Sequence, residues 1–386
     1  MSLNRANIPV SLYVHFPWCE RKCPYCDFNS HEIKGSIDEK EYIDLLLLDL
    51  QSDVEHFSET RSLQSIFMGG GTPSLFSAES INRLLDGIAS IITLSPNVEV
   101  TLEANPGSSE AQKFLGFKQA GVNRISLGIQ SFDDASLKAI GRIHNGSESR
   151  KAVECLQHAG FSNDNLDLMF GPPQQSIDQA NADMQQALAF NPTHISCYQL
   201  TFEPNTLFYH QRPKRIDDDG LWTMQETLQQ QLADAGYQQY EVSAYAHKNH
   251  TSKHNLNYWN YGDYYGIGAG AHSKVTTHDA QISRIWKRKN PRQYEQAAVN
   301  GFWGGQELVS RNDAVFEALL NGLRLKQGVS VTQVTERTGI NPITELPKID
   351  SLLQQELLCY ANDTLYTSPK GFRYLDSVLE QLLPDS

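Results

Sequence analysis

The stretch that decides the reading is WCERKCPYCDFNSH, Trp18 to His31. Cys19, Cys23 and Cys26 fall within eight positions, spaced C-x3-C-x2-C. Three thiolates are one short of the four that close a structural zinc site or hold a complete [4Fe–4S] cube. Bound to three thiolates, a four-iron cluster keeps one iron open to another ligand. Pro24 stiffens the loop, and Trp18, Tyr25 and Phe28 are placed to shield it from water. The other reading is a zinc knuckle that recruits a distant fourth ligand such as His31.

Upstream of this loop lies a short apolar run, Leu12–Phe16, and the same unit repeats downstream. Ser65–Gly69, Val98–Ala104, Arg124–Ile129, Asn165–Phe170 and His194–Leu200 read as strands. Asp38–Glu55, Ala78–Ile92, Ser109–Ala120, Ser147–Ala159, Ser176–Phe190 and about Asp217–Ala235 read as amphipathic helices. Strand–helix alternation predicts an α/β fold with a parallel sheet and helices outside it. Six units are fewer than the eight of a closed barrel, so the expected form is a partial TIM-like (β/α)6 barrel. Its chemistry belongs at the C-terminal ends of the strands, where the cysteine loop begins.

The alternation covers residues 1–240. Residues 241–304 form a connecting segment rich in His and Tyr. Residues 305–386 read as helices at Asn312–Leu325, Val331–Thr338 and Lys348–Glu356, a short two-stranded wing in LLCYANDTLYTSPKG, and a last helix. That pattern resembles a small winged-helix domain. From Gly305 to Ser386 there are 7 Lys/Arg against 11 Asp/Glu, the wrong sign for reading DNA.

Composition points the same way. The 386 residues carry a formal net charge of −13, which argues against a general nucleic-acid binder. The N-terminus lacks the basic start and apolar core of a secretory signal, and Leu45–Leu48 is too short to span a bilayer. A cytoplasmic location is expected. In a reducing compartment the clustered cysteines suggest a metal centre, while Cys155, Cys197 and Cys359 read as inert buried thiols.

The cysteine loop resembles the signature of the radical S-adenosylmethionine (SAM) superfamily, in which the open iron binds SAM. Gly69-Gly70-Gly71-Thr72-Pro73 ends the second strand and corresponds to the segment that meets the SAM amino group. YVHFPWCERKCPYCDF, GGGTPS, EANP, GIQSF, GRIHN and DLMFGPP occur in the order found in the oxygen-independent coproporphyrinogen III oxidase family. The resemblance covers nearly the whole chain, including the C-terminal module. It implies that Cys19, Cys23 and Cys26 hold a [4Fe–4S] cluster and that Tyr13, Gly70 and Glu103 contact cluster-bound SAM. Tyr25, Gly71, Thr72, Gln130, Arg142 and Asp167 match positions that hold a second SAM in the oxidase.

Two departures separate this chain from the oxidase. Phe28 stands where the oxidase has a further cysteine, and 18 residues precede Cys19 where the oxidase has a longer arm. Both match the family's sister group of heme chaperones. The resemblance then implies heme as a ligand and heme-acceptor proteins as partners, a membrane-associated acceptor and a homodimer being compatible with it. The alternative is a coproporphyrinogen III dehydrogenase or another radical SAM enzyme acting on a tetrapyrrole.

Five of the 12 histidines lie between His247 and His278. His254-Asn-Leu-Asn-Tyr258-Trp259 matches the HNxxYW motif of the chaperone group, and His254 is the expected heme ligand, with His250 and His272 as lesser candidates. Arg284, Lys287, Arg288, Lys289 and Arg292 surround Trp286 as a basic stretch, read either as a solvated face or as an attractor of heme propionates.

Overall fold

The computed structural model describes residues 3, 5–107, 112–298 and 301–384. Among them, twelve strands form one sheet. In chain order they are β1 (Val10–Phe16), β2 (Leu63–Gly70), β3 (Leu94–Ala104), β4 (Arg124–Gln130), β5 (Asp164–Phe170), β6 (His194–Gln199), β7 (Gln238–Gln239), β8 (Ala244–Ala246), β9 (Asp263–Ile267), β10 (His272–Thr276), β11 (Ile282–Lys287) and β12 (Trp303–Val309). Their spatial order is β12-β11-β10-β9-β1-β2-β3-β4-β5-β6-β8-β7.

Strands β1 to β6 run parallel to one another. β1, β4 and β5 are buried along nearly their whole length, which is why they read as continuous apolar runs. Helices α1 (Glu39–His56), α2 (Ala78–Ile91), α3 (Phe114–Gln119), α4 (Gly146–His158), α5 (Ile177–Phe190) and α6 (Asp218–Asp234) connect or follow them. Their starts follow local chemistry. Asp38 caps α1, Ser77 caps α2, and Asn145–Glu148 and Ser176–Gln179 form capping boxes on α4 and α5. The expected helix Ser109–Ala120 begins at residues outside the described set, and its described part is α3.

The 241–304 segment is built into the same sheet. β9 adds to β1 in parallel, and β10, β11 and β12 follow as antiparallel neighbours. Lys287 on β11 fastens this extension to α1. Its Nζ lies 2.5 Å from Asp49 and 2.7 Å from Asp53, with all three side chains fully buried. Tyr294 donates to Asp49 and the Trp303 indole to Asp53, so both carboxylates gain further partners.

The C-terminal region has its own apolar core. Helix α8 (Arg311–Gly322), helices Val331–Thr338 and Pro347–Gln354, and the wing strands Leu358–Ala361 and Thr364–Thr367 enclose it. Glu317 on α8 accepts from Tyr261 and Arg284, and Arg324 pairs with Glu241, which seats this region against the sheet extension.

Candidate functional site

The loop after β1 turns at Pro17 and carries Cys19, Cys23 and Cys26 onto one wall of a cavity of about 300 Å3. The rest of the lining comes mostly from strand ends. Gly70, Gly71 and Thr72 follow β2, Glu103 and Asn105 follow or end β3, Gln130 ends β4, and Asp167 and Tyr198 come from β5 and β6. Arg142, beyond β4, closes the side. Parallel strands end at one rim, so one polar group per strand converges there with no coordination in sequence.

The glycines have a steric reason. Gly70 has φ +101°, and a Cβ there would lie 2.3 Å from the His15 ring. A Cβ on Gly71 would lie 2.5 Å from the carbonyls of Phe16 and Trp18. The turn is therefore pressed onto the root of the cysteine loop. The Gly71 and Thr72 amides donate to those two carbonyls at 2.6 and 2.8 Å. Gln130 also has positive φ, +66°, at an irregularity in the β4–β5 pairing. A non-glycine residue held there at a strand end is strain of the kind found at functional sites.

The electrostatics are those of a half-closed pocket. Arg142 donates to Asn105 at 2.6 Å and to the Gly128 carbonyl at 2.7 Å, and lies 3.8 Å from the Cys23 sulfur. Burial raises the Cys19 and Cys26 thiols, while hydrogen bonds from Thr72 and Ser30 oppose it. Burial pushes the Glu103 carboxyl up to about 8, and the Asp167 carboxylate adds to this. The Gly70 amide and Arg124 pull it back. Asp167 is also raised by burial, against hydrogen bonds from Asn165, Ser126 and Ser196. Tyr13 is buried behind the pocket, its hydroxyl 3.0 Å from His15 Nδ1 and its pKa raised by burial and by Glu103.

Among the described residues no three His, Cys, Asp or Glu side chains converge closely enough to share one metal ion. Three thiols spread along a cavity wall suit a cluster of several irons better than a single zinc. His31 Nε2 lies 3.3 Å from the Asn29 amide oxygen.

Cys19, Cys23, Cys26, Tyr25, Gly70, Gly71, Thr72, Glu103, Gln130, Arg142 and Asp167 all meet at this cavity, with Tyr13 adjoining it. Sequence reasoning passed over Asn105, Tyr198 and Ser30. Asn105 lies inside the quoted EANP, and its amide donates to Thr72 while its oxygen accepts from Arg142. Tyr198 donates to Gln130, and Ser30 lies 3.5 Å from the Cys26 sulfur. Parity along β6 was the available signal for Tyr198.

The structure does not bring His254 to this pocket. His254 sits in helix α7 (Lys253–Trp259), 2% exposed, its Nδ1 2.9 Å from Ser65 and its ring stacked on Phe67 at 4.9 Å. Ser65 is near the start of β2 and Gly70 at its end, roughly 16 Å apart at about 3.3 Å per residue. The imidazole has no open face in this conformation. Tyr258 packs on His254 and Tyr264, and Arg324 lies over the Trp259 ring at 4.4 Å. The aromatic pair joins the barrel to the C-terminal region.

Residues 13–187 match the Radical SAM superfamily, and residues 309–374 match the HemN C-terminal domain. The chain is 46% identical to the heme chaperone HemW of Haemophilus influenzae, covering 98% of each chain. It is 44% identical to that of Escherichia coli K12, covering 98% of this chain and 99% of the relative. The chain belongs to the HemW family of radical SAM proteins. A mouse member of the superfamily, radical S-adenosyl methionine domain-containing protein 1, mitochondrial, is 33% identical over 98% of this chain and 88% of its own. The HemW-family chain also shares its fold with the E. coli coproporphyrinogen III oxidase HemN, at TM-score 0.80 and 19% identity, over 97% of this chain and 90% of that one. Among the described residues no helix is long and apolar enough to cross a membrane.

Proposed function

We propose that this protein is a heme carrier that holds a SAM-bound [4Fe–4S] cluster and passes heme to acceptor proteins. The observation that carries the cluster is the convergence of Cys19, Cys23 and Cys26 on a cavity also lined by Glu103, Gln130, Arg142 and Asp167. Full-length similarity to heme chaperones supports the cargo.

The chain's own residues have definable parts. The three cysteines would anchor three irons. Bound there, a reduced cluster supplies the electron that cleaves SAM in this superfamily. Glu103 is placed to accept from an ammonium, because its Oε2 already takes the Gly70 amide at 3.1 Å and points into the pocket. Arg142 offers a fixed cation beside Cys23 and is a partner for a carboxylate or for cluster charge. Trp18, Tyr42 and Phe76 pack together behind the loop, Trp18 edge to face with Tyr42, and limit water on that side.

The test is anaerobic reconstitution followed by hemin addition, desalting and Soret spectroscopy, then incubation with apomyoglobin. Stoichiometric iron, SAM and heme, with heme passing to apomyoglobin, is the expected result. Retained iron and SAM with no heme would overturn the carrier. Because Tyr25, Gln130, Arg142 and Asp167 also meet at the cavity, a radical enzyme acting on a tetrapyrrole is the second reading, and vinyl formation from coproporphyrinogen would establish it.

A further inference from the structure

If the protein carries heme, an open imidazole beside flat apolar surface would suit it, and His254 is buried. The other histidines of the 247–278 segment differ in what holds them. His247 stacks on Tyr237 at 4.0 Å, and His278 is engaged by Arg5. His250 lies in a polar turn next to Lys248 and Asn249. His272 is exposed at the start of β10, and among the described residues no hydrogen bond engages its ring.

Its surroundings form a shelf. His272 pairs across the sheet with Trp286 on β11, and Trp286 pairs with Gly305 on β12. The indole lies across the glycines, for a Cβ on Gly305 would fall 2.2 Å from Trp286 Cζ2 and one on Gly304 3.0 Å from Cδ1. A side chain at either place would lift the ring from the sheet. Side chains stand roughly perpendicular to a sheet, so His272 rises beside an aromatic plane already laid flat. The next row on the same face is Lys274, Arg284 and Glu307. Lys289 lies just beyond Trp286. Burial, then Lys289 and Arg284, lower the His272 pKa, and Glu307 opposes them, which favours the neutral imidazole that ligates iron.

We propose that heme docks on this shelf, with His272 as axial ligand, Trp286 beneath the macrocycle, and the exposed Lys289 facing a propionate, while Arg284 stays paired with Glu317. The occupant is set by complementarity: one imidazole, one flat apolar ring and one exposed cation, Lys289, describe the metal, the plane and the acid edge of an anionic metalloporphyrin. Of the basic stretch, Lys287 takes no part, being buried on Asp49 and Asp53.

The shelf is also tied to the cluster loop. Asn29, three residues past Cys26, donates its amide to the carbonyls of Ala269 and Lys289, both at 2.8 Å. Ala269 and Lys289 flank His272 and Trp286 in sequence. The cluster loop and the shelf therefore share one hydrogen-bonded side chain.

This inference rests on the heme-carrier reading. It is tested by hemin titration of the anaerobic, cluster-reconstituted full chain, followed by Soret absorbance and ferric EPR, for wild type, His272→Ala, Trp286→Ala and His254→Ala. His272→Ala is expected to weaken hemin binding by about 100-fold, since even outer-shell changes cost about 10- to 100-fold at metal sites. It should also lose the wild-type low-spin EPR signal and regain it on adding free imidazole. Trp286→Ala should weaken binding without changing the ligand signal. Wild-type binding and spectrum retained by His272→Ala, with loss only in a folded His254→Ala, would overturn the shelf and leave the carrier standing. No hemin retained by wild type would overturn the carrier reading and the shelf with it.

Discussion

Two regions of this molecule carry motifs of comparable clarity, and they end in opposite environments. CERKCPYC opens onto a cavity at the C-terminal ends of the strands. HNLNYW is folded under the N-terminal ends, with His254 hydrogen-bonded to Ser65 and the amides of Lys253 and His254 capped by Glu99. The first motif presents groups to a ligand. The second turns its groups inward: His254 supports Phe67, which stacks in turn on Tyr13 beside the pocket, and among the described residues the buried Nε2 of His254 has no hydrogen-bond partner. A motif states which atoms are available in sequence, and the fold decides which remain available in space.

The contrast is broken most easily at its extremes. Cys23→Ala is expected to abolish the absorbance of the reconstituted cluster while leaving the unfolding free energy of the apo-protein within about 0.5 kcal/mol of wild type, because the thiol is partly exposed and lines a cavity. A large loss of apo stability would mean that the loop is structural as well.

His254→Ala should do the reverse. Removing a sealed, stacked, hydrogen-bonded ring is expected to cost about 2–4 kcal/mol by denaturant unfolding of the apo chain, with cluster binding kept in the folded fraction. An unchanged midpoint would show that the α7 helix is loosely held and that His254 is accessible after all.

A pH series sharpens the comparison on the open side. Glu103 has its carboxyl raised from the usual 4.5 to about 8. Between those values the folded chain keeps a proton that the unfolded chain has released, so this group's contribution falls as pH rises through that window. Below 4.5 both states are protonated and the contribution is constant. Glu103→Gln should flatten that descent in thermal stability between about pH 5 and 8, and an unaltered slope would count against the buried acid pair with Asp167.

The smallest expected effect is on the cluster's potential. Arg142→Ala removes a buried cation 3.8 Å from Cys23 and should make the cluster harder to reduce, lowering its midpoint in potentiometric titration, while Arg142→Lys should recover part of the shift. Identical potentials would place the guanidinium's role with Asn105 and Gly128 alone.

By itself, the sequence determined what depends on short chain separation or on strict periodicity. Cys19, Cys23 and Cys26 share a loop too short to send them apart, and continuous apolar runs such as SLYVHF and RISLGIQ are readable as buried parallel strands. Parallel strands end together, so Glu103, Gln130 and Asp167 could be gathered before any coordinate was known. Tertiary structure alone decided the rest. Strands β9 and β10 have five residues each, with Gly or polar residues at buried places, and the extension they begin exists because β1 offers an edge for β9 to pair with. Lys287 reads as one charge of a basic run, yet its partners lie 238 and 234 residues away. His254 and His272 are alike as letters. One faces Ser65 and Phe67 and the other faces solvent beside Trp286, because burial is a property of what the remaining chain packs against a residue.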